Sequence, residues 1–276
     1  MKRSERISFL TKTLIDSPNQ VFSLRIFSEM TGASKTSLSE DIDILKKTFQ
    51  KYHLGIIETI VGAGGGVRYK AHKNPKQLET SLREILIHMQ QPNRLILSDF
   101  IYYGDILFNP THLKNIALAM IALYHDHEID GVLTIETKGV PLALEVARLL
   151  GVRAVVARKT NRASEGITLS VHYKSMSYNT IQSMHVTKGA IEKNVKFLVI
   201  DDFMKGGGTL AGLKSLIREN GAECIGSCVF MQEVSSPLTL ENHHYLYGLH
   251  KVNGNLSVEL SPELTELFSD HTQNSD

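Results

Sequence analysis

Two adjacent carboxylates followed by a glycine-rich loop form the segment of this chain best suited to binding a ligand. The segment reads Val199-Ile200-Asp201-Asp202-Phe203-Met204-Lys205-Gly206-Gly207-Gly208-Thr209-Leu210. Carboxylates accept hydrogen bonds from ribose hydroxyls, and flexible glycines allow backbone N–H groups to close on a phosphate. A helix predicted to begin at Leu210 points its positive end at the same place, and Thr209 adds a hydroxyl. The segment therefore predicts a site for a ribose and its 5′-phosphate.

Two other strand ends carry polar residues that suit the same site. Thr137-Lys138-Gly139 follows an apolar strand, and Arg158-Lys159 follows the next one. Gly139 permits a backbone turn that is closed to other residues, while the three cations supply positive charge. Ligands of parallel sheets bind beyond the carboxyl ends of the strands, so we expect these segments to meet. Tyr102 or Tyr103 could also stack on a ligand, although a core or surface position is the more ordinary reading for either tyrosine.

The elements that must position these residues alternate between strand and helix patterns. We predict strands at 131–136, 153–157, 196–200 and 224–231, and helices at 76–90, 112–124, 141–150 and 210–220. Apolar strands that alternate with helices indicate a parallel sheet covered on both faces. Residues 160–187 fit a flexible hood-like loop or hairpin beside the site.

The N-terminal part shows a different pattern, with three helices followed by a hairpin. Helices are predicted from Ser4 to Asp16, from Ser23 to Met30, and from a capping Ser34 to about Tyr52. Gly32 provides the turn between the last two, as in a helix-turn-helix. A strand from Gly55, a glycine-rich turn over 62–66 and a strand ending at Lys70 complete a winged helix. Asn74-Pro75 is the predicted linker, which gives domains of residues 1–74 and 75–276.

The third helix is the candidate recognition helix, because the first turn of such a helix lies at base edges and phosphates. The candidate DNA contacts are hydroxyl or cationic residues on this helix, at the N-terminus and on the wing: Ser34, Lys35, Thr36, Ser37, Ser39, Lys2, Arg3, Arg6, Arg68 and Lys70. A helical hairpin that mediates dimerisation is the alternative. A phosphate cradle at 62–66 is disfavoured, because the run lacks the Lys-Ser/Thr ending and following helix of a P-loop.

Composition and charge agree with a soluble DNA-binding protein. Of the 276 residues, 42% are hydrophobic and 21% are charged, which is typical of a globular protein. Residues 1–74 carry 12 basic and 7 acidic residues, a net charge of +5, whereas the remainder has a net charge of −4. No signal peptide or bilayer-spanning run is evident, so we expect a cytoplasmic protein. Cys224 and Cys228 are too far apart on a strand to form a disulfide, and no metal site is predicted.

The Asp201–Thr209 segment resembles the phosphoribosyl pyrophosphate (PRPP) signature of type I phosphoribosyltransferases. In that resemblance, Thr137-Lys138-Gly139 holds pyrophosphate, Arg158 and Lys159 neutralise the diphosphate, and Mg²⁺ arrives with PRPP. The order of a winged helix and then a phosphoribosyltransferase-like domain is similar to the purine operon repressor family of Gram-positive bacteria. The resemblance implies a homodimer that regulates purine synthesis and transport genes by binding operator DNA. It also implies that PRPP releases the protein from that DNA. Some relatives are activators, and a nucleotide or guanosine polyphosphate could occupy the same phosphate sites.

One position favours a sensor over an enzyme. Purine-salvage transferases can place an acid after the acidic pair as a general base for the nucleobase, whereas this chain has Lys205 and Gly206 there. An ammonium group is a poor general base, so we expect no catalysis. The alternative is an active purine phosphoribosyltransferase with an N-terminal regulatory or dimerisation module.

Overall fold

The computed structural model describes residues 1–62, 64–96, 100–161, 166–175, 180–234, 240–252 and 255–270. The chain divides into two compact units, of which the first holds Met1–Asn74 with Arg148–Gly151 and the second holds Pro75–Ala147 and the described residues from Val152 onward. Ala63 in the wing turn, and residues 162–165 and 176–179 of the predicted hood, lie outside the described residues.

The first unit is a winged helix. Its elements are α1 (Arg3–Asp16), α2 (Leu24–Thr31), α3 (Lys35–Tyr52), β1 (Ile56–Ile60) and β2 (Gly66–Lys70). Gly32 ends α2 in the left-handed conformation, with φ of 70°, and the Ser34 side chain caps α3 by accepting from the Ser37 N–H. The two strands pair antiparallel, with Ile56 opposite Lys70. The predicted three helices and hairpin are therefore confirmed.

The inward faces of these elements form one apolar core. Leu10 and Leu14 of α1, Phe27 of α2 and Leu38 of α3 are each fully buried. On α1 and α3 these positions recur at the spacing of one helical face, which is why the pattern was readable in the sequence. Packing of this face fixes α3 and leaves Lys35 and Thr36 at its start exposed.

The second unit holds the remaining helices and strands, except for Arg148–Leu150 at the end of α7. They are α4 (Pro75–Met89), β3 (Leu95–Ile96), β4 (Phe100–Ile101), α5 (Gly104–Leu107), α6 (Pro110–Ala122), β5 (Gly131–Ile135), α7 (Gly139–Leu150), β6 (Arg153–Ala157), β7 (Thr168–Ser175), β8 (Thr180–Thr187), β9 (Lys196–Met204), α8 (Gly208–Glu219), β10 (Glu223–Glu233), β11 (His243–Val252), β12 (Asn255–Leu260) and α9 (Pro262–Asp270). Within the described residues, no helix is both long and apolar enough to cross a membrane.

Six strands form the central sheet in the order β12-β11-β10-β9-β5-β6. All neighbours run parallel except β12, which pairs antiparallel with β11. The sheet is therefore mixed, and the expectation of a parallel sheet needs this correction at one edge. β11, β12 and α9 were not predicted; polar residues interrupt the apolar runs of β11 and β12, which weakens their periodic signal.

The hood prediction corresponds to an antiparallel hairpin of β7 and β8, with Thr168 opposite Thr187 and Ser175 opposite Thr180. It is joined to the end of β6, because the backbones of Arg158 and His185 exchange two hydrogen bonds of 2.8 Å. The inward residues Val171, Tyr173, Met184 and Val186 pack with α8 in the core of this unit. The hairpin therefore lies beside β6 and packs against α8.

Candidate functional site

The carboxyl ends of three adjacent strands bring the predicted ligand segments together. In the sheet, β9, β5 and β6 lie side by side and parallel. The acidic pair is at the end of β9, Thr137-Lys138-Gly139 follows β5, and Arg158-Lys159 follows β6. β9 continues to Met204, four residues beyond the prediction, because β10 pairs with it as far as Gln232 opposite Met204. The acidic pair therefore sits on a hydrogen-bonded strand, not on a free loop.

The two carboxylates have different surroundings. Asp201 is 6% exposed, whereas Asp202 is half-buried, and the Asp202 N–H donates to Asp201 Oδ1 at 2.9 Å. Burial, and then repulsion from Asp202, raise the pKa of Asp201 well above its ordinary value, although the charge of Lys159 opposes the shift. A ligand that brings donors or a cation to this pair would relieve the repulsion.

A glycine loop joins the acidic strand to α8. Gly207 has φ of 75° and stands at the N-cap, with no side-chain cap on the helix. The helix begins at Gly208, two residues earlier than predicted, so the N–H groups of Gly208, Thr209 and Leu210 form its first turn. First-turn N–H groups lack partners within their helix and form an anion site together with its positive end. Phe203 is partly exposed, whereas Met204 is 2% exposed and its side chain belongs to the core.

Gly139 makes the tightest contact between the loop after β5 and the acidic pair. A Cβ atom on Gly139 would lie 2.7 Å from both Asp201 Oδ1 and Thr134 Oγ1. The Thr134 hydroxyl is buried and has no hydrogen-bond partner within the part of the chain that the structure describes. Only a residue without a side chain lets this loop approach the acidic pair so closely.

The cations at the end of β6 are organised by a glutamate that the sequence reading did not select. Glu136 accepts from Arg158 Nη1 at 3.2 Å and from the Lys159 N–H at 2.9 Å. Arg158 is thus committed to an ion pair in this structure, and its predicted contact with a diphosphate would have to compete with Glu136. Glu136 directly precedes the Thr137-Lys138-Gly139 loop, so it ties two of the ligand segments together.

Lys205 also has a carboxylate neighbour from another strand. Its Nζ lies 3.7 Å from Oε2 of Glu233, the last residue of β10, and Lys251 Nζ on β11 lies 3.9 Å from the same oxygen. The Glu233 side chain is only 10% exposed. The buried Glu233 carboxylate keeps the two ammonium groups beside the glycine loop, and the three groups together carry a net positive charge.

Tyr103 contacts two of the predicted ligand segments, which sequence reasoning missed. It is 9% exposed, and its hydroxyl donates to Asp202 Oδ2 at 2.7 Å, whereas Tyr102 is 47% exposed. The Lys138 ammonium lies 5.2 Å from the centre of the Tyr103 ring. A core or surface position was preferred for both tyrosines, and Tyr103 lies in the core while Tyr102 is exposed; the contact of Tyr103 with Asp202 is signalled by no local pattern.

In the first unit, α2, α3 and the wing line a concave surface that encloses a volume of about 550 Å³. Lys35 and Ser39 line it, together with Arg25 and Lys46, which the sequence reading passed over. Lys46 follows Lys35 by 11 residues, about three helical turns, so their shared face could have been found from spacing. Ser34 and Ser37 are engaged in the cap of α3, and Thr36 is exposed.

The N-terminal arginines have internal partners. Arg6, whose side chain is 11% exposed, and Arg3 both form ion pairs with Asp41, which is fully buried on α3, and the Arg3 contact measures 3.1 Å. Arg3 also contacts Glu40 at 3.4 Å. The two arginines therefore fasten α1 to α3, while Lys2 is exposed. Contact of these three residues with DNA stays a prediction.

The wing cations share one acid. Arg68 Nε lies 2.5 Å and Lys70 Nζ 3.3 Å from Glu58 Oε2 across the β1–β2 pair. Partial burial tends to raise the pKa of Glu58, but hydrogen bonds from Arg68 and Lys70 outweigh it and lower that pKa below its ordinary value. The cluster keeps a net positive charge on the wing.

Among the described residues, no group of three or more His, Cys, Asp and Glu side chains could hold a metal ion. Cys224 and Cys228 are free thiols. The acidic pair fits Mg²⁺ only as part of a complex with a ligand, because two carboxylates on one strand supply too few oxygens for an all-protein site.

Comparison with known families gives two matches along the chain. The family described as "Bacterial purine repressor, N-terminal" matches residues 2–71, and the "Phosphoribosyl transferase domain" matches residues 103–255. These matches correspond to the winged helix and to most of the second unit.

Curated relatives match across both units. A probable purine biosynthesis transcriptional regulator PurR of Streptococcus pneumoniae is 37% identical over 231 residues, which cover 83% of this chain and 84% of that protein. A purine biosynthesis transcriptional activator PurR of Lactococcus lactis is 37% identical, covering 84% and 86%. A purine biosynthesis transcriptional repressor PurR of Bacillus subtilis is 36% identical, covering 84% and 81%. At this identity and coverage, the chain belongs to the bacterial family of purine biosynthesis transcriptional regulators.

Proposed function

We propose that the chain represses purine biosynthesis and transport genes by binding operator DNA, and that PRPP, with its Mg²⁺, lowers this DNA affinity. One observation carries the proposal: a single chain joins a purine repressor N-terminal domain to a phosphoribosyltransferase-like domain whose acidic pair and glycine loop are intact. The acidic pair suits the ribose hydroxyls, the first turn of α8 suits the 5′-phosphate, and Lys138 and Lys159 suit the diphosphate.

On the DNA side, the concave surface of the first unit offers Arg25, Lys35 and Lys46 to phosphate oxygens. Exposed cations on a recognition helix and wing supply the salt-dependent part of DNA affinity. We propose that the protein acts as a homodimer, because two-fold operators are read by two copies of such a helix. Light scattering of the purified chain tests the dimer.

The coupling requires that PRPP bind free protein more tightly than DNA-bound protein, since a ligand shifts an equilibrium only through such a difference. Gel shifts with control-region DNA of purine genes, with and without PRPP and Mg²⁺, test the function. We expect PRPP to release the DNA, and operator DNA to weaken PRPP binding by the same factor. Tighter DNA binding with PRPP would instead indicate an activator-type response, as the name of the Lactococcus lactis relative suggests.

The site test uses the acidic pair. Asp202→Ala removes the carboxylate nearest the Tyr103 hydroxyl and should weaken the response to PRPP by about 10- to 100-fold, the loss of one or two charge-assisted hydrogen bonds. Operator binding without PRPP serves as the check that the variant is folded. A normal response of Asp202→Ala to PRPP would show that the ligand is bound elsewhere.

We also propose that the phosphoribosyltransferase-like domain does not catalyse transfer. Lys205 stands at the position where purine-salvage enzymes can place a base, and its ammonium lies against the Glu233 carboxylate. The alternative is an active purine phosphoribosyltransferase with a regulatory N-terminal module. A transfer assay with radioactive nucleobases distinguishes the two, because nucleotide formation at an ordinary enzyme rate would establish the enzyme. Competition calorimetry against PRPP tests a nucleotide or guanosine polyphosphate as the effector.

A further inference from the structure

A buried tyrosine hydroxyl contacts the acidic pair from a segment outside the sheet. The Tyr103 hydroxyl, just before α5, donates to Asp202 Oδ2 at 2.7 Å, and the residue is 9% exposed. Burial, and then the charge of Asp202, raise the pKa of Tyr103 far above its ordinary value. The hydroxyl therefore stays protonated and remains a donor at every physiological pH. Asp202 Oδ2 thus always accepts a hydrogen bond from Tyr103, and this bond fixes the rotation of the carboxylate.

The backbone around Tyr103 is held on one side, and the Tyr103 ring packs on the other. Arg94 forms two hydrogen bonds with Asp105, of 2.8 and 2.7 Å, and donates to the Tyr102 carbonyl at 2.9 Å. The Arg94 hydrogen bonds lower the pKa of Asp105 to about 2, so this pair is ionised at neutral pH. On the other side, the Phe230 ring lies 5.4 Å from the Tyr103 ring. A side chain that packs on a neighbouring ring, in a backbone segment fastened by a bidentate ion pair, can orient Asp202 accurately.

The same ring contacts a second ligand group. Lys138 Nζ lies 5.2 Å from the centre of the Tyr103 ring, in the geometry of a cation–π interaction. Tyr103 therefore touches the end of β9 through its hydroxyl and the loop after β5 through its ring. These are the segments proposed to bind the ribose and the diphosphate.

We infer that Tyr103 is the positioning residue of the effector site, with its hydroxyl orienting Asp202 toward a ribose hydroxyl and its ring holding the Lys138 ammonium for the diphosphate. The inference rests on the proposed function, because it takes a phosphorylated ribose as the ligand. Two chemically separate roles follow, and two substitutions separate them. Tyr103→Phe removes the hydroxyl and keeps the ring, whereas Tyr103→Leu removes both.

The experiment is calorimetry on the full chain with Mg²⁺ and three ligands: PRPP, ribose 5-phosphate and inorganic pyrophosphate. Tyr103→Phe should bind PRPP and ribose 5-phosphate about 10-fold more weakly, the loss of one hydrogen bond to a charged group, with pyrophosphate unchanged. Tyr103→Leu should also weaken pyrophosphate by about threefold, through the lost cation–π contact. Tyr102→Phe is the matched control, since it removes a hydroxyl from the exposed neighbour. It should bind all three ligands as wild type does.

A second readout separates positioning from a general structural role. In an Asp202→Ala background, Tyr103→Phe should cause no further loss of PRPP affinity, because its target carboxylate is already gone. Equal losses in both backgrounds would overturn the inference, as would wild-type affinities in Tyr103→Phe. Thermal unfolding checks that each variant is folded, and Tyr103→Phe alone decides the hydroxyl role if Tyr103→Leu does not fold. Failure of the wild-type chain to bind PRPP would overturn the proposed effector as well.

Discussion

Replacing Gly139 by alanine tests the closest contact in the effector site. The added methyl carbon would lie 2.7 Å from Asp201 Oδ1 and from Thr134 Oγ1, and 3.2 Å from the Asp201 Cα. Ordinary contacts begin at 3.4 Å, so the loop after β5 must move by about 0.7 Å away from the acidic strand. Asp201 and Thr134 are both buried, and Asp201 Oδ1 accepts a hydrogen bond from the Asp202 N–H. The loop must therefore move, because these two oxygens cannot.

The expected size of the effect follows from this overlap. Overpacking of this kind costs about 1–3 kcal/mol of the free energy of unfolding. In a domain of about 200 residues, each kcal/mol lowers Tm by about 2–4 °C, so we expect a fall of roughly 2–12 °C. A displacement of about 0.7 Å at Lys138 and Gly139 should also break one charge-assisted hydrogen bond to the ligand. That loss corresponds to PRPP binding weaker by about 10- to 100-fold.

Scanning calorimetry of the full chain measures Tm, and titration calorimetry measures PRPP affinity. Gly64→Ala is the control, because a methyl group there meets no atom of the described residues within 4 Å and the backbone φ is not in the left-handed region. It should leave both quantities of the second unit as they are in the wild type. If Gly139→Ala melted within about 1 °C of the wild type and bound PRPP within about twofold, the close approach of this loop to the acidic pair would be wrong.

Three further predictions concern charge. Lys35→Ala should weaken operator binding and reduce the slope of log affinity against log salt by about 0.9, as for one lost phosphate contact, and an unchanged slope in gel shifts would place Lys35 off the DNA. Asp41→Ala should lower the midpoint of urea unfolding, because it removes the buried carboxylate that pairs with both Arg3 and Arg6; an unchanged midpoint would make these ion pairs unimportant for stability. Asp201 has a raised pKa in the folded state, so its contribution to stability is present below the unfolded pKa of about 3.9 and is lost as pH rises through the folded pKa. Asp201→Asn should therefore raise Tm, measured by scanning calorimetry, more at pH 7 than at pH 4. A larger rise at pH 4 would contradict the raised pKa of Asp201.

The sequence determined the local elements and the contiguous motifs of this protein. The winged helix was readable because apolar residues recur at helical spacing and because Ser34 and Gly32 cap and end helices through their own neighbours. The acidic pair and the glycine loop were readable for the same reason, since strand, loop and helix start follow one another within a few residues. Alternation of strands with helices also placed three ligand segments at one edge of the sheet.

Only the tertiary structure decided which partners these residues have. Tyr103 and Asp202 are 99 residues apart, and the Lys205–Glu233 and Arg6–Asp41 pairs also join separate elements. Such contacts depend on strand order, on register and on which face of an element is buried, and none of these follows from local spacing. The same limit hid the antiparallel pairing of β12 with β11 at the edge of the sheet. The sequence by itself therefore determined what the ligand groups are, and the packing of distant segments decided how they are held.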